Sequence, residues 1–156
     1  MKLVSESLNE LYNFEKKSDP LVSLGVGKKA LITRWLDDMG ITDYIINNDY
    51  SIDVEGNVNL YNRGLDKFPD YIKFGSVGGW FDCSNNQLVS LEGCPKIVTK
   101  TFFCSRNKLK SLEGCPISVE CFWCTDNKGI KFKKQDILKL CKVLNLHNNI
   151  IPINLS

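Results

Sequence analysis

Three groups of residues have types and spacings associated with chemistry. Cys121-x-x-Cys124 has the spacing of a redox dithiol or half a zinc site. Gly25-Val26-Gly27-Lys28 is built like part of a phosphate-cradling loop, and His147 is the only histidine, the side chain that most readily exchanges protons near neutral pH. None completes a constellation. Zinc needs two ligands beyond the cysteine pair, and His147 is far along the chain. The glycine loop lacks the first glycine of the G-x-x-x-x-G-K-[ST] pattern, and Lys29 stands where its hydroxyl residue belongs, so the segment reads as a lead-in to a helix. His147 lies in the polar stretch Asn145 to Asn149 with no nucleophile beside it, and the carboxylates form no recognisable pair. The reading is therefore of a non-enzyme with no catalytic residue, no cofactor and no metal, metal- or thiol-dependent catalysis being the least supported alternative.

Composition narrows the classes further. The 156 residues are 43% hydrophobic and 24% charged, as in an ordinary globular domain. Twenty basic side chains against eighteen acidic ones leave a formal charge of +2, which gives no footprint for nucleic acid. The one dense basic run, Lys131, Lys133 and Lys134, precedes an amphipathic segment and reads as a solvated helix start. Met1 to Glu15 has no apolar core and carries three glutamates, unlike a secretory signal, and no apolar run reaches the roughly 18 residues of a membrane span. A cytoplasmic protein with seven mostly reduced cysteines is expected, the odd number arguing against a full disulfide framework.

The strongest signal is internal repetition. Phe81-Asp82-Cys83-Ser84-Asn85-Asn86-Gln87-Leu88-Val89-Ser90-Leu91-Glu92-Gly93-Cys94-Pro95 returns 21 residues later as Phe102-Phe103-Cys104-Ser105-Arg106-Asn107-Lys108-Leu109-Lys110-Ser111-Leu112-Glu113-Gly114-Cys115-Pro116. A third copy opens at Phe122-Trp123-Cys124-Thr125-Asp126-Asn127 and decays, and a degenerate one runs from Val58 to Pro69. The pattern apolar-x-apolar-x-x-Asn-x-Leu-x-x-Leu places Phe and Cys on one face of a short strand. Asn86, Asn107 and Asn127 fall where the chain turns away, so their amides can satisfy backbone groups of adjacent coils. Leu88, Leu91, Leu109 and Leu112 return to the same core, and Gly-Cys-Pro closes the coil, the proline barring further ladder pairing. One such coil cannot bury its own apolar face, so the coils must stack. Stacking puts Cys83, Cys104 and Cys124 in one column and Cys94 and Cys115 in another, as small buried apolar groups.

The repeat Cys-Ser-x-Asn-x-Leu-x-Ser-Leu-x-Gly-Cys-Pro resembles that of leucine-rich-repeat-like proteins common in bacteriophage genomes. Leu24-Gly25-Val26-Gly27-Lys28-Lys29 and Thr42-Asp43-Tyr44-Ile45-Ile46-Asn47 are similar to the leader region of such proteins, so the resemblance covers residues 1–128. It implies the fold and a viral origin, with the host cytoplasm as the setting, and brings no characterised activity.

Elements on either side must hold this array. Ser7-x-x-Glu10 has capping-box form, giving a helix over residues 3–16, and Asp19-Pro20 suits a second helix start. Lys28 to Met39 reads as a helix stopped by Gly40, with Leu31, Ile32, Trp35 and Leu36 apolar. Tyr44 to Asn47, Ser51 to Val54 and Asn57 to Tyr61 alternate as strands, Glu55-Gly56 making a tight turn between the last two. Ile137, Leu140, Cys141 and Leu144 give helical spacing over Gln135 to Leu144. The expected fold class is α+β: a helical and hairpin N-terminal region over residues 1–56, a short leucine-rich-repeat-like β-solenoid of three to four coils over 57–132, and a C-terminal capping helix and tail over 133–156.

Alternation fixes what this array offers outward: Trp80, Asp82, Ser84, Thr101, Phe103, Ser105, Trp123 and Thr125, with Cys121 equivalent to Trp80 and Thr101. Phe103 and Trp123 occupy equivalent positions and should stack. These eight residues are the candidate partner-binding set for a host or viral protein, with no nucleic acid and no membrane as partner. The competing readings are a minor virion or assembly component, and coverage of the aromatic pair by the chain's own N-terminal region or tail. Trp35 and the short hairpin, which no repeat logic explains, form a rival site.

Overall fold

The computed structural model describes residues 26–128, 130–144 and the backbone of 150–151. The chain divides into two compact units, residues 1–42 and 43–156. In the first, α1 (Val26–Asp38) carries Leu31, Ile32, Trp35 and Leu36 buried at helical spacing, so Trp35 is a core residue. Gly40 stops it with φ +70°; the Ile41 N–H donates to the Leu36 carbonyl and the Gly40 N–H to the Asp37 carbonyl, a double-bonded left-handed cap. The helix expected over residues 3–16 and the helix start at Asp19-Pro20 lie outside the described residues.

The second unit is a β-solenoid of about four turns with a short helix near its end, and the fold class is α+β. Its strands are β1 (Tyr44–Ile46), β2 (Ile52–Val54), β3 (Val58–Asn59), β4 (Phe74–Val77), β5 (Phe81–Asp82), β6 (Ile97–Phe103) and β7 (Ser118–Trp123); α2 (Lys134–Leu140) then precedes β8 (Lys142–Val143) and β9 (Ile150–Ile151). Two parallel ladders run from coil to coil. One links β2, β4, the start of β6, the start of β7, and β8; the other links β3, β5, the ends of β6 and β7, and β9. Each coil therefore has two sheet faces, where the sequence suggested one.

Two expectations change as a result. Glu55-Gly56 does not close a hairpin: β2 pairs with β1 and β4, β3 pairs with β5, and residues 55–56 are the bend between the two faces of one coil. Pro95 and Pro116 do not end pairing either, because the first ladder resumes two residues later at Ile97 and Ser118. A proline only removes its own N–H donor, and here it sits between ladders. Val54, Val77, Val98, Val119 and Val143 form the buried column of this first ladder, all at most 5% exposed. The hairpin of β1 and β2, expected within an N-terminal region, shares the solenoid's sheet.

The second ladder carries the repeat's aromatic column. Phe81, Phe102 and Phe122 are fully buried, with ring centroids 5.8 and 5.2 Å apart, and Val58 takes the same place in the first coil. Leu60, Cys83, Cys104 and Cys124 are buried alongside, as are Leu88, Leu91, Leu109 and Leu112. Each coil leaves this ladder through a left-handed residue, Asn62, Asn85, Arg106 or Asp126, with φ of 53–56°. In the last three the following residue is the repeat asparagine, and its amide works as expected. Asn107, 2% exposed, accepts from the Leu88 N–H at 3.0 Å and donates to the carbonyls of Cys83 and Cys104 at 3.0 and 3.1 Å. Asn86 and Asn127 make the equivalent bonds to the coil before their own. The coil's far corner needs a glycine: Gly114 has φ +86°, and a Cβ there would lie 2.7 Å from the carbonyl carbon of Leu91.

α2 begins beside the exposed Lys131, Lys133 and Lys134, and the Asp136 carboxylate accepts the Lys133 N–H at 2.8 Å. Its end differs from the periodicity. Ile137 and Cys141 are buried, but Leu140 and Leu144 are 49% and 61% exposed, because the chain turns extended at Cys141 and enters β8. Satisfying the open edge of β7 outweighs another helical turn: β8 pairs with Ser118 and Val119, and β9 with Phe122 and Trp123.

Asn107→Ala removes all these bonds and strands buried backbone groups in two coils, so a loss of about 3 kcal/mol in unfolding free energy is expected from denaturant titration. Asn107→Asp should lose at least as much, since a carboxylate cannot donate to the carbonyls of Cys83 and Cys104.

Candidate interaction surface

The outward positions of the second ladder run in register across four rungs, Asn59, Asp82, Phe103 and Trp123. Phe103 and Trp123 pack as expected, their ring centroids 5.9 Å apart at an interplanar angle of 46°, inside the range aromatic pairs favour. Both remain partly exposed. Trp80, Thr101 and Cys121 are also partly exposed two residues earlier, Thr101 and Cys121 being direct rung partners. At the other margin the Ser105 hydroxyl accepts from the Thr125 N–H at 3.0 Å and from the Thr125 hydroxyl at 3.1 Å, which ties two rungs together. The Asp82 carboxylate accepts the Ser84 N–H at 2.8 Å and is held upright against its own strand.

Ser84 itself departs from expectation. It is only 7% exposed and does not belong to the outward set. Its carbonyl receives the Asn62 N–H and the Asn86 amide, just as the carbonyl of the partly exposed Ser105 receives those of Asn85 and Asn107 one coil later, so its burial is a matter of what lies beside its side chain. The other seven candidate residues share one partly exposed face. None of the positions alternating with the buried ladder between Asn59 and Trp123 is a lysine or arginine, and Asp82 is the charge among them; Lys100 and Glu120 stand at the corner where the two faces meet.

Sequence reasoning missed the other face. A cleft of about 540 Å³ opens there, lined by Asp43, Tyr44, Asp53, Glu55, Ser76 and Thr99 among others. Its central carboxylate is already engaged: Asp53 accepts from the Asn47 amide at 2.9 Å and from the Ser76 N–H at 2.7 Å. The hydrogen bond from Asn47, followed by that from Ser76, holds the Asp53 carboxyl below its ordinary range, so it acts as an ionised clamp between hairpin and coil. The signal for this face was present as Pro-x-x-Val in both good repeats, Pro95 to Val98 and Pro116 to Val119.

The cysteines take structural places. All seven are free thiols, and six are buried. Cys124 points into the core whereas Cys121 is partly exposed, so the Cys-x-x-Cys pair is split across the strand as alternation required. The two thiol columns adjoin inside the coils: burial raises Cys94 well above the usual thiol range, with a hydrogen bond to Cys83 adding to it, and burial raises Cys104, with Cys124 and Cys83 adding. Burial likewise pushes Cys115 up to about 11 and Cys124 and Cys141 up to about 12. Among the described residues no group of three or more His, Cys, Asp or Glu side chains is placed to hold a metal ion, and no helix is long and apolar enough to cross a membrane. His147 lies outside the described residues. Comparison of the chain with protein-family models, curated proteins and solved structures finds no match.

A thiol reagent added to the folded protein should modify Cys121 first, with the six buried cysteines reacting only on unfolding; peptide mapping by mass spectrometry reads this directly. The pH dependence follows from the same shifts. The raised thiols are neutral in the folded state while an unfolded chain ionises near pH 9, so their contribution is complete below pH 9 and drains away between 9 and 12. The urea midpoint should therefore fall between about pH 8 and about pH 10.5, and it should fall less in a Cys124→Ala variant.

Proposed function

We propose that this chain is a protein-binding module whose docking surface is the second sheet face, and not an enzyme. The observation that carries the reading is the Phe103–Trp123 pair, two large rings held against each other on adjacent rungs yet left partly exposed. Rigid aromatic side chains offer large contact area at small entropic cost, which is why they dominate binding hot spots. The hydroxyls of Thr101, Ser105 and Thr125 border the rings as a polar rim suits an interface core. Stacked coils hold such a face in a fixed register, so little ordering cost is added on association. The leucine-rich-repeat-like motif and its resemblance to bacteriophage proteins support a viral protein that meets a host or viral partner in the host cytoplasm.

Replacing both rings, Phe103→Ala with Trp123→Ala, should abolish partner capture in affinity purification from the native host context. The far-ultraviolet spectrum and thermal midpoint should change little, since neither ring is in the core. Undiminished capture by the double variant places the interface elsewhere, and co-purification of the wild-type chain with assembled particles favours a virion component instead.

A further inference from the structure

Resting on the reading of this face as a docking surface, we infer that its partner is an extended protein segment that lays a single arginine across the Phe103–Trp123 pair and onto Asp82. Charge points to this occupant. The outward ladder positions between Asn59 and Trp123 hold no cation and one carboxylate, Asp82, beside the two rings. The face is thus a negative and aromatic window, and a single cation is drawn to it.

Geometry selects arginine over lysine. A guanidinium is flat, stacks on the faces of Trp and Phe, and forks onto a carboxylate, whereas an ammonium does neither as well. Asp82, Phe103 and Trp123 stand on successive rungs, spaced by roughly 4.7–4.9 Å, so an arginine stem crosses the Phe103 ring while its head reaches Asp82. One Asp82 oxygen accepts the Ser84 N–H, and the other accepts no hydrogen bond among the described residues. The carboxylate is therefore both pre-oriented and able to receive the incoming donors.

The test is selection of a displayed random-peptide library on the immobilised 156-residue chain, followed by fluorescence anisotropy with the winning peptide. The expected winners share one arginine and lose binding to the Phe103→Ala/Trp123→Ala variant. Asp82→Asn keeps an acceptor for the Ser84 N–H, so the fold is retained, and it should weaken the peptide about tenfold or more. Citrulline in place of the arginine should cost about as much, and adding Asp82→Asn to it should cost little further. Winners that need Phe103 and Trp123 but carry no arginine, or that bind Asp82→Asn unchanged, overturn the arginine assignment and leave the docking face standing. Polybasic winners overturn it as well. Peptides indifferent to the ring substitutions, or no enrichment at all, overturn both.

Discussion

A coil that leaves a strand and turns under its neighbour must bring several backbone groups inside the molecule, where each unpaired one costs roughly 1–3 kcal/mol. In this protein the asparagine amide meets that demand. Asn86, Asn107 and Asn127 each donate to carbonyls of two successive coils and accept an N–H of the preceding one. One side chain therefore closes its own turn and fixes the register of the next stack. The left-handed residue just before it aims the amide inward, and glycine at the far corner lets the next coil approach closely. The same amide bonds recur in three successive turns, so the rungs above them stay in register.

The proposed surface depends on that regularity. With the phenylalanine column buried behind it, the outward residue of each rung is displaced from its neighbour by one strand spacing and little else. Phe103 and Trp123 meet for this reason, and Asp82 stands one rung away from them. The valine column on the first face does the same work with smaller side chains, and the residues above it form a cleft where Asp53 is held by Asn47 and Ser76. Two faces of one solenoid thus differ in kind: one is aromatic, the other is acidic and hydrogen-bonded.

The thiols show how packing can remove chemistry from reactive side chains. Cys83, Cys94, Cys104, Cys115, Cys124 and Cys141 are buried, and for those whose thiols are shifted the shift is upward, away from the thiolate that would act as nucleophile or metal ligand. A small, soft side chain fills in the later coils the buried place that Leu60 takes in the first.

Much of this was legible in the residues alone, because repetition and alternation are properties of sequence. The 21-residue period, the inward Phe, Cys, Asn and Leu positions, the stop of α1 at Gly40 and the meeting of Phe103 with Trp123 all follow from spacing and side-chain chemistry. Pairing does not, since it depends on which edge lies beside which. Only the tertiary structure decided that β2 and β3 look along the solenoid and not at each other, that a second ladder follows each proline, and that Cys141 leaves the helix to close the edge of β7. It also decided that Ser84 is buried. The outward set expected from alternation is partly exposed at every position but Ser84, because alternation sets which way a side chain faces while burial depends on what lies beside it in space.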